Sequence, residues 1–407
     1  MRARIAAAVL PFLLLAAAAR ADVVRILDDD REAMQARVDV IRQAKGKIGL
    51  LYFLARDDRV TLAVLALLRE AKHRGVSDIR LIVDGSFQRI PKPVMAYMRE
   101  EGIEIRTYHP FDLRHPTWML HRMHEKLIVA DGRRYITGGR NLDTSYFGLS
   151  RKRNFLDRDV YIEGPSAADA DRRFEELWGS NDVRRMGLHA TRRAKHEAAE
   201  HLGDALQEMV ASGFVDLGAP RDWTAGRREI ADVRFVPTPR VSDAVVDALR
   251  SARQSIVIES PYFIPPRFIR ELLLEKAASG VRVSVLTNSI RSTDGLLPQA
   301  AYLNYRGDMA RAGIDFREYK GPQTLHSKSI VIDGRLAMIG SYNIDPRSHF
   351  LNTEVMCVME DEAFARELTR AIGADQDNAW AIDPRNEDMP FRIWALQLLM
   401  PILEHQL

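Results

Sequence analysis

Residues 124–141 have the sequence HEKLIVADGRRYITGGRN, and residues 326–343 have the sequence HSKSIVIDGRLAMIGSYN. Both stretches place a Lys two residues after a His, an Asp five residues after that Lys, and an Asn 17 residues after the His. In each stretch an apolar run follows the Lys, Asp-Gly marks a turn, and a second apolar run precedes the Asn. The pattern predicts two β-hairpins of the same design.

Hairpin geometry groups the polar residues of each stretch. Residues two apart on a strand face the same side, so the His and the Lys of each motif project together. The returning strand then brings the Asn back near the His. The residues grouped in this way are His124, Lys126 and Asn141 in the first stretch, and His326, Lys328 and Asn343 in the second.

The repeat extends well beyond the hairpins. Residues 36–53 match residues 244–263, and each segment predicts an amphipathic helix followed by a β-rich run. Two further pairs of segments continue in the same order, at offsets between 202 and 211 residues. Alternating helices and strands predict an α/β fold, and the duplication predicts two similar α/β units packed as a pseudo-two-fold pair.

The domain boundaries follow from the repeat. We expect a first unit at residues 22–188, a helical linker at 189–221, a second unit at 222–380 and an apolar tail at 381–407. The charges of the linker indicate a solvated helix face. The tail has a helical apolar pattern and would either dock on a membrane surface or cap the second unit.

The N-terminal sequence predicts export. The 407 residues are 46% hydrophobic and 28% charged, which excludes a disordered chain. Residues 1–21 combine Arg2 and Arg4 with an apolar run and a small-residue cleavage site before Asp22, which is typical of a signal peptide. An uncleaved membrane anchor is the alternative.

Cleavage would remove three of 59 basic residues and no acid, leaving 59 − 3 = 56 bases against 56 acids. A neutral chain argues against nucleic-acid binding.

Two His, two Lys and two Asn at one pseudo-two-fold axis are suited to a phosphoryl group. The Lys charges and the Asn amides can bind phosphate oxygens. One His can attack phosphorus while the other protonates the leaving oxygen. We expect no metal or other cofactor, because the lysines supply positive charge and would repel a cation beside each His.

These paired motifs resemble those of the phospholipase D superfamily, the HKD enzymes. The flanking sequences GGRNLDTSYFG, GSYNIDPRSHFLNTE, SPYFIP and LTNS resemble its bacterial cardiolipin synthase branch. The resemblance implies two α/β-sandwich domains with the active site between them. It also implies that a phosphatidyl group is transferred through a covalent phosphohistidine to an alcohol, such as the glycerol headgroup of phosphatidylglycerol.

The resemblance also implies residue roles. His124 would be the nucleophile and His326 the general acid and base, although the symmetry of the sequence leaves this choice open. Asp131 and Asp333 complete the catalytic motifs of the family, but their place at the start of a turn favours a structural role. The residues implied to bind phosphate are Lys126, Lys328, Asn141, Asn343 and also Ser341, whose counterpart is Gly139.

Each motif His needs a partner that fixes its tautomer. In the second half, Glu354 matches the carboxylate that bonds the motif His in the family. In the first half, the segment FLDRDVYIEG offers Asp157 at the matching position, with Asp159 on the same strand face as an alternative. We therefore expect each half to supply the carboxylate for its own His.

Three other functions stay open at this point. A phospholipase D hydrolase would use water as the acceptor, because the motifs specify cleavage at phosphorus and not the acceptor. Two motifs in a neutral chain argue against a nuclease, and intact motifs in both halves argue against a non-catalytic lipid-binding protein. We expect a phospholipid substrate, a membrane surface as partner, no nucleic acid, and activity as a monomer.

Overall fold

The computed structural model describes residues 21–383. The expected signal peptide and C-terminal tail lie outside this range, apart from Ala21 and residues 381–383. None of the helices in the described range is both long enough and apolar enough to cross a membrane.

The strands are β1 (Asp22–Leu27), β2 (Lys47–Tyr52), β3 (Asp78–Asp84), β4 (Glu104–Tyr108), β5 (Lys126–Ala130), β6 (Arg134–Gly138), β7 (Phe155–Leu156), β8 (Asp159–Glu163), β9 (Val183–Arg185), β10 (Glu229–Ile230), β11 (Val233–Pro237), β12 (Ser255–Glu259), β13 (Arg282–Asn288), β14 (Asp315–Tyr319), β15 (Thr324–Leu325), β16 (Ser329–Ile332), β17 (Leu336–Gly340), β18 (Val355–Glu360) and β19 (Ala379–Ala381). The α-helices are α1 (Asp30–Gln43), α2 (Arg59–His73), α3 (Lys92–Glu100), α4 (Ala167–Gly179), α5 (Arg192–Ala211), α6 (Arg240–Ser251), α7 (Arg267–Ala278), α8 (Leu296–Arg311), α9 (Pro346–Phe350) and α10 (Glu362–Asp377).

Two large sheets repeat one topology. The first has the order β10-β1-β8-β6-β5-β2-β3-β4-β9, and the second has the order β11-β18-β17-β16-β12-β13-β14-β19. In both sheets three central strands run parallel, β2-β3-β4 and β12-β13-β14, and the neighbouring motif hairpin is antiparallel. The expected α/β class with two similar units is confirmed, and β10 is an additional edge strand of the first sheet.

The two sheets face each other across a shared core. Helices α1, α2, α3 and α5 cover the outer face of the first sheet, and α6, α7 and α8 cover the outer face of the second. The layer between the sheets also contains α4 and α10. Within it, Tyr135 of the first half packs edge-on against Phe235, with ring centroids 5.5 Å apart. Apolar burial between the sheets therefore joins the two halves.

Both motif hairpins turn at the predicted Asp-Gly. The φ angles are 55° at Asp131 and 59° at Gly132, and the second hairpin repeats them with 53° at Asp333 and 63° at Gly334. Positive φ at both turn residues suits Asp-Gly and matches the twist of the flanking strands. The hairpins place each motif Lys at or just before the first residue of the N-terminal strand.

The first unit extends further along the chain than we expected. In the segment predicted to be a linker, Ala198, Leu202 and Leu206 of α5 are buried against the core of the first half. Their spacing forms an apolar stripe, which a helix buries against its neighbours. Strand β10 then pairs with β1, so the second sheet begins only with β11. The linker helix is thus part of the first unit, and the boundary follows β10.

Candidate active site

Each motif His is bound by a carboxylate from the opposite half of the chain. Nδ1 of His124 lies 2.9 and 3.0 Å from the two carboxylate oxygens of Glu354. Nδ1 of His326 lies 2.6 Å from Oδ2 of Asp157. Both predicted carboxylates therefore contact a motif His, but the expected pairing within each half is wrong.

Main-chain hydrogen bonds explain this exchange. The N–H of His326 donates to the carbonyl oxygen of Leu156 over 2.7 Å, and Leu156 directly precedes the first carboxylate residue. The N–H of His124 donates to the carbonyl oxygen of Thr353 over 2.9 Å, and Thr353 directly precedes the second. Strands β7 and β15, one from each half, pair in parallel beside His326. These backbone contacts thus place the carboxylate of each half beside the motif His of the other half.

The two half-sites differ in what lies beside the carboxylate. A Cβ at Gly139 would lie 2.0 Å from Oδ1 of Asp157, so the approach of this carboxylate requires glycine. At the equivalent position the hydroxyl of Ser341 donates to Glu354, and it accepts from the backbone N–H of Val355 over 3.0 Å. Ser341 therefore supports the carboxylate, and the prediction that its hydroxyl binds phosphate is wrong.

The two motif lysines are buried beside the histidines. Nζ of Lys126 donates to the carbonyl oxygen of His124 over 2.5 Å and lies 5.3 Å from the ring centroid of Phe53. Nζ of Lys328 lies 2.8 Å from Nδ1 of His326. Burial, with the charge of the other lysine, lowers the pKa of Lys126 well below its usual value. Burial also lowers the pKa of Lys328 to about 8. A bound anion would favour the charged form of both.

A cavity of about 540 Å³ opens beside the two histidines, and residues of both halves line it. Asn141 and Asn343 line this cavity, as the hairpin geometry predicted. Oδ1 of Asn141 accepts from the backbone N–H of Leu54 over 3.0 Å. The Asn343 side chain bonds Asp345. Both amides are therefore oriented by the protein at the wall of the cavity.

Aromatic rings orient the two imidazoles. Phe53 packs edge-on against His124, with ring centroids 4.9 Å apart. Tyr146 packs edge-on against His326 at 5.1 Å. Phe53, which Phe263 repeats in the second half, is a pocket-lining candidate from the sequence and does line the cavity. Tyr146 and the buried Arg122 also line it, and sequence reasoning missed both. No repeat signal identifies them, because the second half has Ser348 where the first has Tyr146, and Thr324 where it has Arg122.

The motif aspartates lie at the far end of the hairpins. The carboxylate of Asp131 accepts from three consecutive backbone N–H groups, those of residues 45–47. The carboxylate of Asp333 does the same for residues 253–255. Counting them as catalytic is wrong, and the structural role that their turn position favours is correct. Asp159, the alternative His partner, bonds Arg37 over 2.9 Å and does not contact a motif His.

The environment keeps His124 neutral. Burial lowers the pKa of His124 to about 4; the nearby lysines contribute to this shift and Glu354 opposes it. Burial opposes ionisation of Glu354, but His124, Lys126 and Ser341 outweigh it and lower the pKa of that carboxyl. An ionised Glu354 accepts a hydrogen bond from the protonated Nδ1 of His124. The free lone pair of the imidazole is then on Nε2. Burial and the two lysines lower the pKa of His326 as well.

Comparison with known proteins agrees with this geometry. The family described as "Cardiolipin synthase, PLD-like domain" matches residues 38–178 and 245–375. Cardiolipin synthase C of Escherichia coli K12 is 28% identical over 404 residues, covering 88% of this chain and 85% of that protein. An uncharacterized Helicobacter pylori protein is 27% identical, covering 87% of this chain and 79% of its own length.

A solved structure shows the same fold. The phosphatidylserine synthase of Haemophilus influenzae superposes with a TM-score of 0.69 at 15% sequence identity. The match covers 94% of this chain and 95% of that one. The arrangement of two α/β units therefore recurs across nearly the full length of both chains.

The titration of His124 tests the electrostatic description of the site. We expect its imidazole to be neutral at pH 7, protonated on Nδ1, and to titrate with a midpoint near 4. Glu354→Gln removes the charge that favours the imidazolium, so the midpoint should fall further. Ring ¹⁵N shifts measure this, with His124→Gln identifying the signal. Glu360→Gln, at the exposed end of β18, the strand that begins directly after Glu354, is the control. A midpoint between 6 and 7, or one that responds to Asp157→Asn and not to Glu354→Gln, would contradict the description.

Proposed function

Because this chain belongs to the phospholipase D superfamily, in the family of cardiolipin synthase PLD-like domains, we propose that it is a phosphatidyltransferase acting through a phosphohistidine. Its products would be cardiolipin or a related phospholipid. The observation that carries the proposal is the pair of histidines, each bound by a carboxylate of the other half, with one buried lysine beside each. One phosphodiester group would lie between them.

In the first step Nε2 of His124 attacks phosphorus of the donor lipid. The bond from phosphorus to the headgroup oxygen breaks, and that oxygen takes a proton from Nε2 of His326. Lys126 and Lys328 neutralise the charge on the phosphoryl oxygens, where burial makes their charges effective. The anionic phosphodiester also raises the pKa of His326, so that the imidazole carries the proton it must give.

The second step reverses the first. His326, now neutral, accepts the proton of an acceptor hydroxyl, and the hydroxyl oxygen attacks phosphorus. The bond between phosphorus and Nε2 of His124 breaks, and the free imidazole is restored. A phosphatidylglycerol acceptor would give cardiolipin, and water would give phosphatidic acid. Because one chain supplies both histidines, we propose that the enzyme acts as a monomer.

Trapping the intermediate tests the mechanism. Purified protein mixed with radiolabelled phosphatidylglycerol and quenched in base should carry label on His124, located by mass spectrometry. His326→Ala should slow formation of this adduct by about 10²–10⁴-fold, since it removes the acid. His121→Ala, which changes a partly exposed neighbouring His, is the matched control.

Label on His326 alone would reverse the two roles, and no adduct in the wild type would refute the covalent mechanism.

The products of the same reaction show whether the acceptor is an alcohol or water. A two-phosphate lipid supports transfer, whereas phosphatidic acid alone identifies a hydrolase. Specific activity that stays constant on dilution supports the monomer, and a loss on dilution opposes it.

The surface around the cavity supports our proposal that the enzyme docks on a membrane. Nine large apolar side chains are exposed between residues 21 and 383. Phe87 and Met119 line the cavity itself, and Phe111 and Leu113 are 70% and 83% exposed on the segment that leads to Met119. Apolar side chains that continue from a polar catalytic cavity onto the surface suit a lipid bilayer. We call the segment 111–120 the apolar rim.

Removing apolar side chains from the rim should weaken vesicle binding. A fully buried Phe or Leu side chain gains about 1.5–3 kcal/mol, so Phe111→Ser with Leu113→Ser should reduce partitioning at least about tenfold. Sedimentation with phosphatidylglycerol vesicles measures this. Trp380→Ala, an exposed aromatic on the edge strand β19, is the control. Equal binding by the rim variant and the wild type would refute this docking surface.

We further propose that the enzyme is exported and begins at Asp22 after cleavage. In support, β1 starts at Asp22, and the buried carboxylate of Asp22 accepts from the backbone N–H and the hydroxyl of Ser166 over 3.0 and 2.9 Å. The mass of the N-terminal peptide from protein recovered from cells should correspond to a start at Asp22. An intact residue 1 would refute cleavage.

A further inference from the structure

Several polar atoms without a hydrogen-bond partner belong to residues in or next to the wall of the cavity. Between residues 21 and 383, nine buried side-chain nitrogen or oxygen atoms have no hydrogen-bond partner. Five of these atoms belong to Arg122, Asn343, Asn352 and Thr353. The first three residues line the cavity, and the N–H of Thr353 donates to the carbonyl oxygen of Arg122 over 2.8 Å. Leaving buried polar groups without hydrogen bonds destabilises a protein, so these atoms indicate a ligand that completes their hydrogen bonds.

Arg122 is the charged residue among these four. Its side chain is only 2% exposed, and Nη1 donates to Asp84 over 3.2 Å and to Ser86 over 2.5 Å. Its Nε and Nη2 have no partner. A guanidinium with two adjacent free N–H positions is suited to bidentate binding of a phosphate group.

The position of Arg122 breaks the symmetry of the site. It lies two residues before His124, and Thr324 occupies the equivalent place before His326. The hydroxyl of Thr324 donates to the carbonyl oxygen of Ser292 over 2.6 Å. The two motif lysines, one from each half, can bind one phosphate between the two histidines. Arg122 has no basic counterpart in the second half, so it can bind a further anion only on the His124 side of the cavity.

The chemistry of the neighbouring atoms indicates what accompanies the anion. The free side-chain oxygens of Asn343 and Asn352 are acceptors. They suit a ligand that donates hydroxyl hydrogens, while Arg122 and the Thr353 hydroxyl supply donors. A phosphate ester that carries glycerol hydroxyls satisfies both kinds of atom.

We propose that Arg122 and the hydroxyl of Thr353 form a second anion subsite that binds the phosphate of the acceptor, while the side-chain oxygen of Asn352 accepts from a hydroxyl of the same ligand. This inference rests on the proposed phosphatidyl transfer and assigns the residues that would recognise the phosphate of its acceptor. The subsite would position the acceptor hydroxyl near the phosphorylated histidine, which favours transfer over attack by water.

Competition between two acceptors tests the subsite. With one short-chain phosphatidylglycerol donor, transfer is measured to glycerophosphoglycerol and to glycerol, which lacks the phosphate. Arg122→Gln should reduce the ratio of kcat/KM for the two acceptors at least tenfold, because glycerol does not use the guanidinium. Arg250→Gln, on the exposed outer side of α6, should leave the ratio unchanged. Parallel losses for both acceptors would overturn the proposal.

A second variant separates a folding defect from a lost subsite. Arg122→Gln leaves Asp84 buried without its cation, which can destabilise the protein. Asp84→Asn combined with Arg122→Gln removes both charges, and thermal unfolding reports whether it is folded. The folded double variant should show the same fall in the acceptor ratio. A wild-type ratio in that variant would overturn the proposal.

Direct binding distinguishes failure of the subsite from failure of the proposed function. The His124→Ala variant cannot form the covalent intermediate, so calorimetry with glycerophosphoglycerol measures binding alone. Adding Arg122→Gln should weaken this binding at least tenfold even if the wild type proves to be a hydrolase. Inorganic phosphate as a competitor shows whether any phosphate occupies the subsite or only the ester does. Unchanged binding on adding Arg122→Gln would refute the subsite.

Discussion

The active site depends on one constraint, the exchange of carboxylates between the two halves. Glu354 of the second half bonds His124, and Asp157 of the first half bonds His326. Neither His has its carboxylate partner until the halves pack together. The exchange is anchored nearby by Arg158, which follows Asp157 and forms ion pairs with carboxylates of the second half. The packing of the interface and the orientation of the two motif histidines therefore depend on the same contacts.

The same constraint explains the charge state of the cavity. Packing the halves buries two lysines and two histidines, and burial disfavours every cationic form. The pKa of Lys328 falls to about 8 and that of His124 to about 4. Two buried carboxylates offset part of this cost, and a phosphodiester anion would offset more. The site is thus suited to a substrate with negative charge at its centre, and a neutral His124 is already in the form that a nucleophile requires.

Local sequence patterns predicted much of this structure. The Asp-Gly turn, the strand alternation and the spacing from His to Asn are short-range features, and they correctly placed His124 beside Lys126 with Asn141 at the same cavity. The repeat likewise predicted two similar α/β units, and the two sheets do repeat one strand order. What the sequence could not predict is contact across the interface. An internal repeat is equally consistent with a carboxylate serving its own half or the other, so Glu354 was assigned to the wrong His.

Sequence reasoning also missed residues that the repeat does not duplicate. Arg122 and Tyr146 have no counterpart of the same type in the second half, so no pattern singled them out. Ser341 lies beside its motif Asn and suggested phosphate binding, but the longer Glu354 side chain brings a carboxylate within reach of its hydroxyl. The shorter Asp157 approaches the backbone at Gly139 instead. These differences arise from side-chain length at an interface, which spacing along one chain does not encode.

The most direct test of the exchange is a set of double-mutant cycles on the free energy of unfolding. Contacting residues show coupling energies of about 0.5–3 kcal/mol, whereas independent pairs add. The account predicts coupling in this range for His124 with Glu354 and for His326 with Asp157, measured by urea denaturation of the alanine variants. It predicts at most half as much for His124 with Asp157 and for His326 with Glu354. Stronger coupling within each half than between the halves would contradict the exchange.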